Sequence, residues 1–393
     1  MSAQVFVSET GERYVDRKRY AWVLSLLIPA TVVVGPLLYL QTGVELALWT
    51  PLFFYYTIIP LLDRLLGEDR SNPPESVVPL LEADHYYRYC TYALVPILWG
   101  SFLFSAWFVG TQNLPWHGVV AVALLCGQIC GFGLNLGHEL GHKKSKGEQW
   151  LARMVLSLGA YGHFYIEHNK GHHKAVATPE DCASSRMGEN IYRFALRELP
   201  GAFLRAWRLE AERLRSRNLA VWSRHNEILQ PLALSVVLYA SLVLIFGWIM
   251  LPFLAITIFW GAFQLTSANY IEHYGLLRQR LPDGRYERCQ PHHSWNSNHV
   301  FSNWALFHLQ RHSDHHANPT RRFQSLRHFD KLPELPSGYT GMYLLAWIPP
   351  VWFHFMNPRL LQAVNADPGK INFLPSRREQ LIRRYRLATE TMG

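Results

Sequence analysis

Residues 118–142 read GVVAVALLCGQICGFGLNLGHELGH. The part from 118 to 137 carries no charge, and a bilayer core of about 30 Å needs roughly 20 apolar residues of helix, so it predicts a membrane span. The run ends abruptly in His138-Glu139-Leu140-Gly141-His142, which sets two imidazoles four residues apart on one helical face. Five further uncharged runs occur, at 20–40, 46–62, 91–110, 228–250 and 251–269. Together they predict an all-α membrane protein of six transmembrane helices, organised as one domain over 1–393.

Composition agrees. At 49% hydrophobic and 17% charged residues the chain is too apolar for an ordinary soluble enzyme, and a disordered or fibrous chain is excluded. All 38 Lys and Arg fall in the N-terminal tail, in 63–90, in 138–227 and after 269, while 41–45, 111–117 and the turn near Met250 have none. By the positive-inside rule, both termini and every large loop then face the cytoplasm, and the expected location is a bacterial-type inner membrane. The polar first 19 residues end in Arg17-Lys18-Arg19 and lead into a span without a small-residue cleavage site, which predicts an uncleaved first helix. The net charge of +9 is accounted for by basic residues flanking spans, and no nucleic-acid motif appears. The cysteines Cys90, Cys126, Cys130, Cys182 and Cys289 include no C-x-x-C pair, so neither a thiolate cluster nor a disulfide framework is expected.

None of the 19 histidines interrupts a run, and most sit in the charged segments. Besides His138 and His142, one cluster reads Glu167-His168-Asn169-Lys170-Gly171-His172-His173. There His168 and His172 form an i, i+4 pair, with His173 about 100° round the axis if the segment is helical. The sixth run leads into Glu272-His273, and the last cluster is His312-Ser313-Asp314-His315-His316. All four clusters belong at or beyond the cytoplasmic ends of spans, which predicts a histidine-rich helical cap. Nine imidazoles exceed the roughly four ligands one zinc accepts, so two metal ions are expected, of iron, copper, zinc or nickel on ligand type alone. Each cluster also places an acid beside a histidine, namely Glu139, Glu167, Glu272 and Asp314. Ligating imidazoles usually give their second N–H to a carboxylate or carbonyl, which is the role expected of these four. His292, His293, His299, His308 and His163 are read as hydrogen-bonding or structural residues. The Arg- and Leu-rich stretch from Glu189 to Arg224 suits a basic helix on the membrane surface or a solvated one, and 339–356, with Pro349-Pro350, an interfacial or re-entrant piece.

His138 to His142 also matches H-E-x-x-H, the zinc protease signature with Glu139 as base, but that reading leaves six cluster histidines without a task. A metal transporter would place binding groups near the bilayer midplane, where these spans hold no Asp, Glu, Lys, Arg or His.

The clusters as a set resemble the integral-membrane di-iron alkane 1-monooxygenases, within the broader fatty-acid desaturase and hydroxylase superfamily. The superfamily pattern H-x(3,4)-H, H-x(2,3)-H-H and H-x-x-H-H appears as His138/His142, His168/His172/His173 and His312/His315/His316. The box Asn-Tyr-Ile-Glu-His-Tyr-Gly at Asn269 to Gly275, carrying His273, selects the alkane hydroxylases, as does Leu309-Gln310-Arg311-His312-Ser313-Asp314-His315-His316-Ala317. The resemblance implies two iron ions on the nine histidines, O2 as oxidant, no haem or flavin in this chain, and terminal hydroxylation of medium-chain n-alkanes. It also implies electrons from NAD(P)H through a rubredoxin reductase and a rubredoxin, the latter separate or fused beyond these residues. An acidic carrier would find Arg193, Arg197, Arg377 and Arg378, which serve equally well as lipid-headgroup contacts. A desaturase acting on an acyl chain is the alternative within the superfamily, against which the His273 box argues. Because an alkane has no polar handle, it needs an apolar tunnel. Phe53, Phe54, Tyr55 and Tyr56 of the second run are the candidates for its far end, or else packing and lipid-facing aromatics.

Overall fold

The computed structural model describes residues 4–387. In lipid every backbone N–H and C=O must be satisfied within its own segment, so the uncharged runs are helical. Six helices are long and apolar enough to cross a membrane: Arg19–Thr42, Glu45–Leu66, His85–Thr111, Trp116–Gly141, Leu229–Phe246 and Met250–Glu272. They coincide with the six runs, and the chain is a multi-pass membrane protein. The third begins earlier than its run because Asp84 accepts a hydrogen bond from Tyr86 N at 2.8 Å, capping a turn that the polar residues His85 and Arg88 had masked. Among the described residues the only sheet is a short hairpin of Gln4–Val7 and Arg13–Asp16.

Spans four and six form the centre. A Cβ on Gly127 would lie 2.9 Å from Thr257 O, and one on Gly261 would lie 2.7 Å from Cys130 Cβ, so the missing side chains are what let the two helices approach. This crossing brings the His138–His142 end of one beside the His273 end of the other. The second span departs from α geometry, with a π segment over Phe54–Ile58. All five cysteines are free.

Beyond the spans, further helices close over the histidine end of the bundle. Ile191–Arg215 buries Ile191, Phe194, Glu198, Ala202 and Ala206 and exposes Leu196 and Leu204. It is therefore a clamp that reaches inward through Arg205, rather than a helix lying only on a surface. The 339–356 region folds as two helices, Tyr339–Ala346 and Pro349–Ala363, the first packed on span six.

Candidate metal centre

The structure brings all nine cluster histidines together in two adjoining groups. One contains His138, His142, His168, His173 and His315, and the other His172, His273, His312 and His316; within each group the ligand nitrogens lie within 4.8 Å of one another. In the first, His138 Nε2 stands 2.8 Å from His315 Nε2, and His173 Nε2 stands 3.1 Å from His168 Nε2 and 3.0 Å from His315 Nε2. In the second, His312 Nε2 is 3.2 Å from His273 Nε2 and 2.9 Å from His316 Nε2.

The partition corrects the expected pairing of His168 with His172. Residues Glu167–His172 form a π segment, whose hydrogen bonds run from i to i+5 in place of i+4. Residues five apart, His168 and His173, therefore converge, and His172 turns to the other group. The helix His312–Ala317 divides its ligands by ordinary α spacing: His312 and His316 go one way and His315 the other.

The donor set fits two metal ions. Nε2 of His142 and of His172 are buried without a hydrogen-bond partner, a cost that a cation on the lone pair removes. Burial pushes His142, His168, His173, His312, His315 and His316 well below the ordinary imidazole range, and neighbouring rings add to the effect, so they stand neutral as ligands must. His172 Nδ1 donates to Asp181 Oδ2 at 2.9 Å, and His273 Nδ1 to the His293 carbonyl at 3.3 Å. Both bonds place the proton on Nδ1 and leave Nε2 free. Burial lowers the pKa of His172, yet the Asp181 carboxylate outweighs it and leaves that pKa raised.

None of the four acids Glu139, Glu167, Glu272 and Asp314 accepts a hydrogen bond from a ligand Nδ1 among the described residues. Neighbours on a helix point about 100° apart, so these carboxylates meet other partners. Glu139 pairs with Lys143 at 3.0 Å, Glu167 with Arg205, and Asp314 with Arg321 at 3.1 Å. Glu272 lies on the metal side instead: Oε2 is 3.4 Å from His312 Nε2, and Oε1 accepts from Tyr339 OH at 2.8 Å. Asp181, Arg205 and Tyr339 were not singled out from the sequence. Asp181 sits nine residues after His172 in a polar loop, where no spacing rule marks it.

A mainly apolar cavity ends on this centre. His138, His168, His312 and Glu272 form its inner end, and Tyr55, Ile59 and Phe132 line it within the spans. Of the four aromatics on the second span, Tyr55 alone lines it. Phe53 is exposed, Phe54 is half-buried, and Tyr56 donates to Gln128 Oε1 at 2.6 Å. His163, His292, His293, His299 and His308 fall outside both imidazole groups. His308, for example, donates from Nδ1 to the Phe323 carbonyl at 2.9 Å and packs edge-on to Trp22.

Residues 113–346 match the family described as Fatty acid desaturase. The chain is 56% identical over 369 residues to alkane 1-monooxygenase 1 of Alcanivorax borkumensis, covering 94% of this chain and 91% of the relative. It is 53% identical to alkane 1-monooxygenases of Pseudomonas putida, covering 98% and 96% of the two chains, and of Ectopseudomonas oleovorans, covering 96% and 94%. Six apolar helices, two converging imidazole groups and relatives matched along nearly their whole length leave one assignment: the chain belongs to the alkane 1-monooxygenase family and is an oxidoreductase.

Proposed function

We propose that this chain hydroxylates the terminal methyl of medium-chain n-alkanes to primary alcohols at a di-iron centre held by the nine histidines. The observation that carries the reading is the apolar cavity that runs from between the spans to the imidazole groups. The overall reaction is RH + O2 + 2 e⁻ + 2 H⁺ → ROH + H2O. Bound iron would supply the activation of O2; the protein supplies the rest. Each buried CH2 contributes about 0.8 kcal/mol, so an alkane is held by length alone, and the end that reaches His138 and His312 is set by where the cavity stops. Apolar walls exclude water from the reacting methyl. Glu272, fixed by Tyr339, holds a carboxylate facing the four-imidazole group, which offsets part of the charge that two divalent ions would bring.

The electrons come from NAD(P)H through a reductase and a rubredoxin, separate or fused beyond these residues. The histidine end, the termini and the basic segments face the cytoplasm of an inner membrane, as the Lys and Arg distribution supports. Arg193, Arg377 and Arg378 are exposed and suit an acidic carrier. Arg197 is committed internally, bonding Glu189 at 2.8 Å and the Ser184 carbonyl at 3.0 Å.

The test is metal content per chain in detergent, followed by product analysis with octane and with a fatty acyl substrate. Two irons and 1-octanol support the reading. One zinc and no iron in fully loaded protein, or a double bond in the acyl chain and no octanol, would overturn it. His273→Ala should reduce iron and abolish octanol formation while leaving the protein folded.

A further inference from the structure

Two hollows in the protein meet at one hydrogen-bonded pair. Ser302, itself buried, lines the apolar cavity. A second hollow, at the end of the second span, is lined by Asp63, Arg64, Glu68, His299 and Ser337, of which Arg64 and Glu68 are exposed. Buried Asp63 stands between the two. Its carboxylate accepts from Ser302 N at 2.8 Å and from Ser302 Oγ at 2.5 Å. The joint is tightly built: Val300 N bonds the Gly67 carbonyl at 3.0 Å, and Asp69 N bonds the Asn298 carbonyl at 2.9 Å. A Cβ on Gly338 would lie 2.1 Å from Asp63 Oδ2, so only glycine lets the segment before Tyr339 cover the pair. The next residue, Tyr339, lines the cavity and carries the hydroxyl bonded to Glu272.

Capping the short helix Val300–Ala305 does not by itself call for an acid, since Asn and Asp serve about equally as caps. Among the described residues Asp63 has no Lys, Arg or His within salt-bridge distance, and a buried carboxylate without a cation is costly. The reaction proposed above consumes two protons at a site buried beneath the helices of the histidine end. With lipid around the spans, those protons must enter from the histidine end.

We propose that Asp63 and Ser302 are the proton inlet of this oxygenase, an inference that rests on the function proposed above. A proton from solvent in the outer hollow is taken up by the Asp63 carboxylate and passes to Ser302 Oγ. The Ser302 hydroxyl, which points at Asp63 Oδ2 at rest, then turns and releases its own proton to water in the cavity that Tyr339 and Glu272 also line. One O–H bond forms and one breaks on each group, and no electrons move. The titratable side chains sharing the hollow with Asp63 are Arg64, Glu68 and His299.

The experiment uses the full-length, iron-loaded enzyme with O2, octane and a reduced one-electron carrier protein. Asp63→Asn keeps an oxygen for the Ser302 N bond and turns an amide NH2 to Ser302 Oγ, so it relays no proton, Ser302→Ala removes the hydroxyl, and Ser302→Thr keeps it. Removing a proton-transfer group typically costs on the order of 100-fold, so Asp63→Asn and Ser302→Ala should lower kcat by about that factor. KM for octane and iron per chain should stay unchanged, the solvent deuterium isotope effect on kcat should increase, and less alcohol should form per O2 consumed. Ser302→Thr should restore kcat. Wild-type kcat and isotope effect in Ser302→Ala overturn the inlet, as does a raised KM with unchanged kcat, which would assign the pair to packing. A wild-type enzyme that carries iron and makes no octanol brings down the parent reading instead, which separates the two failures.

Discussion

Asp181 accepts from His172 at 2.9 Å and is itself held by Arg205 Nη2 at 2.7 Å and Ser184 Oγ at 2.6 Å. Burial alone would raise its pKa, but His172 and Arg205 hold the carboxyl well below the usual range, so it stays charged. Arg205 also pairs with Glu167, and the cationic partner of this acidic pair is therefore a guanidinium. A charged acceptor behind a ligating ring fixes its tautomer and orientation, and removing such a group typically costs about 10–100-fold in metal affinity or activity. Asp181→Asn should therefore lower iron occupancy of the four-imidazole group by a factor in that range. Glu139→Gln, whose carboxylate faces Lys143 and not a ligand Nδ1, should leave it unchanged. Metal titration of both variants decides the matter; equal losses would mean that adjacency to a histidine in sequence counts for more than the hydrogen bond. The nine histidines were legible because residue type and spacing announce them. Asp181 was not, because a hydrogen bond across a loop leaves no periodic trace.

The element that decides the ligand partition is the π segment Glu167–His172. Its extra residue per turn is what unites His168 with His173, and an α reading of the same letters pairs His168 with His172. No local pattern distinguishes the two, since the choice rests on packing against Arg205, whose Nε would lie 2.7 Å from a Cβ on Gly171. Lys170 projects outward from this turn with its side chain 43% exposed. Lys170→Ala should accordingly be tolerated, with a stability change within about 0.5 kcal/mol. Inserting one Ala after Lys170 should instead set His168 and His173 six residues apart, carry His173 out of the five-imidazole group and cost at least one iron per chain. Equal metal content in the two variants would show that the π turn does not set the partition. The second π turn, Phe54–Ile58, has a parallel task, because it presents buried Tyr55 to the cavity while its OH donates to the Ile28 carbonyl at 2.7 Å. Replacing Tyr55 by Ala should extend the accepted alkane by several carbons, read as the product profile over an alkane series; an unchanged profile would show that this ring does not close the cavity. The six spans themselves were legible from charge-free length, whereas both π turns, being tertiary outcomes, were not.

At the scale of the whole molecule, the histidine end concentrates neutral imidazoles that are largely shielded from solvent. The span count and the charge bias on which the proposed orientation rests were both compositional features of the sequence, open to a reading without structure. The energetic consequence of gathering the rings was not, because it depends on burial. Six of them, His142, His168, His173, His312, His315 and His316, have folded-state pKa values well below the ordinary value of about 6.5, with desolvation the first cause. An unfolded chain binds protons on these rings below that pH and the folded chain does not. Their contribution to stability is thus fully present above about pH 6.5 and is lost as pH falls below it, each ring adding up to about 1.4 kcal/mol per pH unit. His172 works the other way, since Asp181 raises its pKa and its contribution is lost as pH rises, but one ring offsets only a fraction of six. Iron-free protein in detergent should therefore melt at a clearly lower temperature at pH 5.5 than at pH 7.5. Iron on the ring nitrogens excludes protons from them and stabilises the folded state by mass action, so the loaded enzyme should hold its Tm further into acid before it releases metal. A Tm for the iron-free form that stays flat across this range would mean that the rings are hydrated without metal, and that the tight gathering of imidazoles belongs only to the loaded state.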